Sequence, residues 1–181
     1  VFNVSRFYSL AQTLGVVPVV TAALGPVAGL PASRLVASHF SVMTKNAAVL
    51  IAGPQVVKRA LGKDLSKEQL GGPEVHLKSG VINNLAEDEE DAFNQIRTFL
   101  SFMPDNAWQR PKTIVCGDPA NRRDEELASI VPKNSRQPFQ MRKIIQHVID
   151  LEKGETTFFE IGQKFGPSLI TGLGRMHGHS V

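Results

Sequence analysis

The residues whose types and spacing could do chemistry begin with a glycine-bounded turn: Gly25, Pro26, Val27, Ala28 and Gly29. It follows a β-branched run and precedes Pro31, which suits a first helical turn. Backbone amides freed in such a strand-to-helix turn can face an anion, or an oxygen that becomes one during a reaction. The turn lacks a Walker lysine-serine pair and the G-x-G-x-x-G spacing. On its own residues it reads more readily as a tight turn of small side chains. The histidines give a weak metal signal. His177 and His179 share a turn without a nearby cysteine or carboxylate, and His147 lies beside an apolar stripe, where it reads as a structural residue. His76, between Gly71-Gly72 and Ser79-Gly80, is the histidine in a site-like context, and a structural hydrogen bond suits it better than proton transfer. Cys116 has no histidine near it in sequence, Ser79-Gly80 lacks the G-x-S-x-G frame, and Glu87 to Glu90 suit the start of a solvated helix. No metal site is expected.

These groups must be positioned by ordinary elements. Helical spacing of Phe7, Leu10, Ala11 and Leu14 ends at Gly15. Val16–Thr21 reads as a buried strand, with Pro18 arguing for an edge or irregular one. Leu24–Gly29 reads as a loop, and a helix follows from Pro31 to about Ser38. Phe40–Thr44 and Ala48–Ala52 read as strands joined at Lys45-Asn46. Gly53-Pro54 opens a helix through Leu61, and Ser66 with Gln69 forms a capping box for a helix ending at Gly71-Gly72. Val75–Ile82 reads as loop or strand. Glu87–Met103 reads as a helix whose buried stripe is Phe93, Ile96, Leu100 and Met103. A second helix carries Met141, Ile144, Ile145 and Val148. Ser168–Met176 reads as a strand turning at His177-Gly178.

The 181 residues suit one domain or pieces of two, and 42% hydrophobic with 20% charged content indicates a folded chain. A net charge of +3 without a clustered patch argues against nucleic acid, and one cysteine excludes an internal disulfide framework. The uncharged stretch between Arg6 and Arg34 is broken by Gly15, Pro18, Gly25, Pro26, Gly29 and Pro31, so a membrane span or signal is set aside. Residues 104–139 are proline-rich with little periodicity and read as a linker. The chain stops just inside the return strand of a hairpin. It is therefore expected to be a fragment cut at both ends.

Several blocks, taken in order, resemble the carboxyltransferase (β) subunit of biotin-dependent acyl-CoA carboxylases of the propionyl-CoA and methylcrotonyl-CoA type. They are VVPVVTAALGPVAG, then LIAGPQVVKRALGKDLSKEQLGG with His76 and SGV, then Asp88–Ala92 at the head of a helix. SIVPKNSRQPFQMRKIIQHVID and FFEIGQKFGPSLITGLGRMHGHSV continue the resemblance nearly to the end of the chain.

The resemblance implies an α/β, crotonase-like (ClpP/crotonase) spiral of β-β-α units, present in part. Residues 1–103 would be the latter part of an N-terminal subdomain, 104–139 the linker, and 140–181 the start of a C-terminal subdomain. It implies transfer of CO2 from carboxybiotin, borne on a separate carrier domain, to the α-carbon or vinylogous carbon of an acyl-CoA. The freed biotin nitrogen would remove the α-proton, and the thioester enolate would attack CO2. The protein would supply positioning and backbone donors. Gly29 and Leu30 match the two-glycine step that gives those donors, with Gly25, Pro26, Val27, Ala28 and His76 placed at the substrate. Leu30 replaces the second glycine. An N–H survives, but the side chain needs space and a positive φ there would be costly. An altered acyl preference or a weakened site would follow. Biotin would be served by a glycine loop beyond this chain. The implied partners are a biotin carboxylase or biotin carrier subunit and further copies of the chain, since the site forms between halves of different protomers. No nucleic-acid or membrane partner is expected. The location would be the mitochondrial matrix or bacterial cytoplasm. The alternatives are an acyl-CoA decarboxylase α subunit of the same fold, and a non-catalytic assembly subunit.

Overall fold

The computed structural model describes residues 6–134 and 136–181. Helix α1 (Arg6–Leu14) leads into strand β1 (Val20–Ala23), strand β2 (Pro26–Ala28) and helix α2 (Leu30–Val36). Strands β3 (Phe40–Thr44) and β4 (Ala48–Leu50) precede helices α3 (Pro54–Leu61), α4 (Lys67–Gly71) and α5 (Pro73–Ser79). Strand β5 (Asn84–Ala86) and the long helix α6 (Glu89–Phe102) complete the first part. After the short helix α7 (Leu127–Ile130) come α8 (Met141–Val148) and the strands β6 (Leu151–Glu152), β7 (Glu155–Thr156), β8 (Phe159–Ile161), β9 (Thr171–Leu173), β10 (Arg175–Met176) and β11 (His179–Ser180).

The unit is β-β-α, repeated with its strands in separate layers. The first strand of each unit joins a parallel sheet of order β1-β3-β5, and the second strands form a separate parallel pair, β2 with β4. Val20 lies opposite Phe40, Val42 opposite Asn84, and Val27 opposite Val49. Consecutive strands β3 and β4 therefore do not pair with each other; Lys45-Asn46 carries the chain from one layer into the next. This is the crotonase-like arrangement, present in part. β3 is buried along its whole length, as a central parallel strand should be.

One core lies between the two strand layers and holds Ala23, Leu35, Met43, Val49, Leu77 and Ile82. The other lies between β3 and α6, where Phe40 stacks on Phe99 with ring centroids 4.9 Å apart. Phe159 of β8 meets Phe40 edge-on at 5.5 Å, so the second part of the chain shares this core. Asn84 ties the parts together through polar contacts: its Nδ2 donates to the Glu160 carbonyl (3.0 Å) and its Oδ1 accepts from the Gly162 amide (3.0 Å).

Several sequence expectations shift. β1 starts at Val20 because Pro18 has no N–H for a ladder, and it lies at one side of the described β1-β3-β5 sheet. Residues 26–28 form a strand rather than a loop. Val75–Ile82 is not loop or strand: Pro73 opens α5, and Gly80, with φ +74°, closes it as a left-handed cap. The buried face of α6 is Ala92, Phe99 and Phe102 with Ile96 and Met103, while Phe93 and Leu100 are exposed. Both registers were apolar, and the aromatic stack on Phe40 selects one. No described helix is long and apolar enough to cross a membrane.

Candidate active site: the Gly25–Leu30 turn

β2 runs beside β4, with Pro26 opposite Ala48 and Ala28 opposite Leu50. Alternation sends Val27 into the core and leaves Pro26 and Ala28 exposed. The ladder closes with the Gly29 amide donating to the Leu50 carbonyl at 3.0 Å. Gly29 then takes φ +68°, ψ −132°, a combination that only glycine adopts without strain, and the chain swings into α2. No atom lies within 4 Å of a Cβ built there, so the demand is conformational rather than steric.

The two proposed donors therefore differ. The Gly29 amide is engaged by Leu50. The Leu30 amide, in the first helical turn, has no acceptor among the described residues. Pro31 has no N–H, and the Gly29 carbonyl accepts from the Ser33 amide at 3.1 Å. Leu30 does not have a positive φ, the non-glycine residues with one being Lys153 and His177. Leucine at this position thus carries no positive-φ strain, and its side chain is partly exposed at the turn.

His76 lies on α5 rather than in a loop. Its Nε2 donates to the Val49 carbonyl at 2.7 Å, and its Nδ1 is enclosed without a partner. The structural hydrogen bond expected for it is present, but it secures β4 rather than a loop around His76. Gly71 stands on the same carbonyl: a Cβ there would lie 2.0 Å from the Val49 oxygen. The anchors of the turn are thus the carbonyls of Val49 and Leu50. Backbone groups leave no side-chain signal in a sequence; the Gly71-Gly72 pair was the one hint that something approaches closely.

The other candidates resolve into structural roles. His147 donates through Nδ1 to Asp124, and its Nε2 lies 3.7 Å from Glu126. These are the residues among those described that could surround a cation, yet the two ring nitrogens face different carboxylates, and the group joins α7 to α8. The hydrogen bond from His147 holds the Asp124 carboxyl below its ordinary range. The Cys116 thiol is pushed up, first by burial and then by Asp150, which opposes thiolate formation. His179 meets Thr113 at 3.2 Å.

Asp150 and Arg175 escaped the sequence reading. Asp150 accepts from the amides of His177 (2.8 Å) and Gly178 (2.7 Å) in the final hairpin turn, where both turn residues have positive φ. Burial works against its ionisation, but those two amides outweigh it and hold the carboxyl below the usual range. Arg175, 5% exposed, donates to the Ser101 carbonyl at the end of α6 (2.8 Å) and covers the Phe102 ring at 4.7 Å. The segment before α7 is bonded to the second part of the chain: Ile114 donates to Gly178 (3.1 Å), and Asp118 accepts from Leu151 (3.1 Å).

A cleft of about 870 Å³ lies between α6 and the second part, lined by Arg97, Phe102, Lys153 and Arg175 among others. A smaller one, about 360 Å³, is lined by Cys116, Asp118 and Asp150. Neither includes Gly25–Leu30 or His76.

Comparison with known proteins bears on the family and the fold. The methylmalonyl-CoA decarboxylase α subunit of Veillonella parvula is 34% identical over 177 residues, covering 97% of this chain and 34% of that protein. The mitochondrial propionyl-CoA carboxylase β chain of Homo sapiens is 34% identical over 169 residues, covering 92% and 31% respectively. A transcarboxylase 12S structure, described as a hexamer assembly with hydrolysed methylmalonyl-coenzyme A bound, superposes with a TM-score of 0.87 at 31% identity, over 97% of this chain and 34% of that one. The chain thus spans about a third of the length of these relatives. The model of the carboxyl transferase domain matches residues 3–181, and the chain belongs to that family.

Proposed function

We propose that the complete protein is the carboxyltransferase component of a biotin-dependent acyl-CoA carboxylase, carboxylating the α-carbon or vinylogous carbon of an acyl-CoA through an enolate. The observation that carries this reading is the Gly29 turn, which leaves the Leu30 amide unpartnered at the end of the β2–β4 ladder. A thioester oxygen gains negative charge as the α-proton leaves, and a fixed N–H stabilises that charge without having to reorganise. Gly29 orients this donor. Its own amide would act only by being shared with the Leu50 carbonyl. Pro26 and Ala28 offer an exposed edge along which the acyl-CoA would lie, with Gly25 at its start and Val27 anchoring it to the core.

Carboxybiotin on its carrier would supply the carboxyl group. No described residue is assigned to biotin: the Leu30 amide is a single donor, whereas a ureido ring needs donors and acceptors on both edges. The partners follow as a biotin carboxylase or carrier subunit and further copies of the chain, in a mitochondrial matrix or bacterial cytoplasm. We divide the chain into residues 1–103, a linker 104–139 and 140–181; the bonds of Ile114 to Gly178 and of Asp118 to Leu151 support grouping the middle of the linker with the C-terminal side.

The Veillonella relative supports a second reading, in which the same site decarboxylates a carboxyacyl-CoA. Offering the complete protein a biotinylated carrier with acetyl-, propionyl- and methylcrotonyl-CoA, in both directions of transfer, tests the proposal. Transfer to one acyl-CoA supports it, net release of CO2 favours the decarboxylase reading, and inactivity in both directions would sink both.

A further inference from the structure

We infer that His76 is a positioning residue for the donor at Leu30, acting through β4 and not through contact with the substrate. The inference rests on the oxyanion reading of Leu30 given above. Two consecutive carbonyls of β4 point to opposite sides. The Val49 carbonyl receives the His76 Nε2–H at 2.7 Å, and the Leu50 carbonyl receives the Gly29 N–H at 3.0 Å. A carbonyl can only accept, so Nε2 carries a proton and donates it, while Nδ1 is enclosed and has no partner among the described residues. Enclosed in this way, Nδ1 does not face an acyl-CoA lying along the exposed edge of β2. What the ring supplies is a donor at one defined point.

That point matters because of what lies on the other side of the strand. β4 is three residues long and is held by β2 along one edge. On its other edge, the Val49 carbonyl sits between the His76 ring and the Gly71 backbone, where a Cβ would come within 2.0 Å. Gly71 permits the approach and His76 supplies the bond. If the bond is lost, the Val49–Leu50 peptide can tilt about the strand axis. The Leu50 carbonyl then moves, Gly29 follows, and the Leu30 N–H loses its aim. A displacement of about 1 Å at a reacting centre can cost roughly a hundredfold in rate.

The test compares His76→Gln, His76→Asn and His76→Leu in the full-length protein with its biotinylated carrier. A Gln amide nitrogen reaches the Nε2 position, an Asn amide stops near Nδ1, and Leu offers no donor. The expected result is a kcat lower by about ten- to a hundredfold for Leu and Asn, recovery of most of it by Gln, and a KM for acyl-CoA within about twofold of wild type. Affinity for a CoA thioether that lacks the carbonyl oxygen should be unchanged in all three. Wild-type kcat in His76→Leu, Gln no better than Asn, or thioether affinity falling in step with kcat would each overturn the inference. Because Gln and Asn are both polar, their comparison decides the matter even if the Leu variant does not fold. Leu30→Pro separates this from the reading beneath it. If that variant keeps full activity, the oxyanion role of Leu30 is wrong; if it is inactive while His76→Leu is active, only the role of His76 is wrong.

Discussion

The amide of Gly29 donates to the carbonyl of Leu50 at 3.0 Å, so the turn that opens the candidate site is the last rung of a parallel ladder. A donor aimed at a developing charge is effective when the backbone holding it cannot relax, and a ladder rung provides that. The positive φ at Gly29 then places the next amide outside the ladder, unpaired among the described residues.

Gly29→Ala should cost activity through conformation alone. The position has room for a Cβ, so no clash is expected. An alanine held near φ +68°, ψ −132° is strained by about 1–3 kcal/mol, and the turn will relax away from it. The expected outcome is a kcat at least tenfold lower with a small drop in thermal midpoint, read by steady-state kinetics and calorimetry.

Leu30→Gly should change substrate preference more than rate. The amide is retained and the side chain at the mouth of the turn is removed. The ratio of kcat/KM for methylcrotonyl-CoA to that for acetyl-CoA should rise by about tenfold, the scale on which apolar pockets discriminate.

Arg175→Met should loosen the junction between α6 and the C-terminal part. The guanidinium satisfies the Ser101 carbonyl and lies over Phe102, and no carboxylate pairs with it among the described residues. Removing it deletes a part-buried hydrogen bond from a charged donor, at a cost of about 2 kcal/mol. Thermal unfolding of the full-length variant should show the loss.

Asp150 gives stability a defined pH dependence. Its folded-state pKa is depressed, because the Gly178 and His177 amides overcome the cost of burial. The stabilisation is therefore complete above the unfolded-state value of about 3.9 and is lost as pH falls through the lower folded value. Asp124, held down chiefly by His147, adds in the same direction. In Asp150→Asn the thermal midpoint should be lower at neutral pH and should fall less steeply between about pH 4 and pH 2 than in wild type.

Much of this was legible in the sequence wherever the cause is local. The capping box of Ser66 and Gln69 forms as read, with Gln69 Oε1 accepting from the Ser66 amide at 2.9 Å. Gly53-Pro54 opens α3, and His177-Gly178 makes the hairpin. Local cues failed where distant partners decide. α5 is seven residues long and is flanked by Gly71-Gly72 and by Gly80, which suggest a loop; burial of Leu77 makes it a helix. α6 carried two apolar stripes, and Phe40, distant in sequence, chose between them. At the site, Gly29 announced itself, but its amide's partner is the backbone carbonyl of Leu50, and the structural hydrogen bond read for His76 goes to the Val49 carbonyl of a strand.

The most direct test of the central claim is carboxyl transfer from a biotinylated carrier by the complete protein, wild type against Leu30→Pro. Proline suits the first helical position and removes the N–H together with the leucine side chain, so Leu30→Gly, which loses the side chain but keeps the N–H, is the control. The account predicts that wild type carboxylates at least one of acetyl-, propionyl- or methylcrotonyl-CoA, and that Leu30→Pro is slower by about a hundred- to a thousandfold while binding a carbonyl-free CoA thioether as before. Equal rates in the two proteins, or a wild type inert toward all three thioesters, would contradict it.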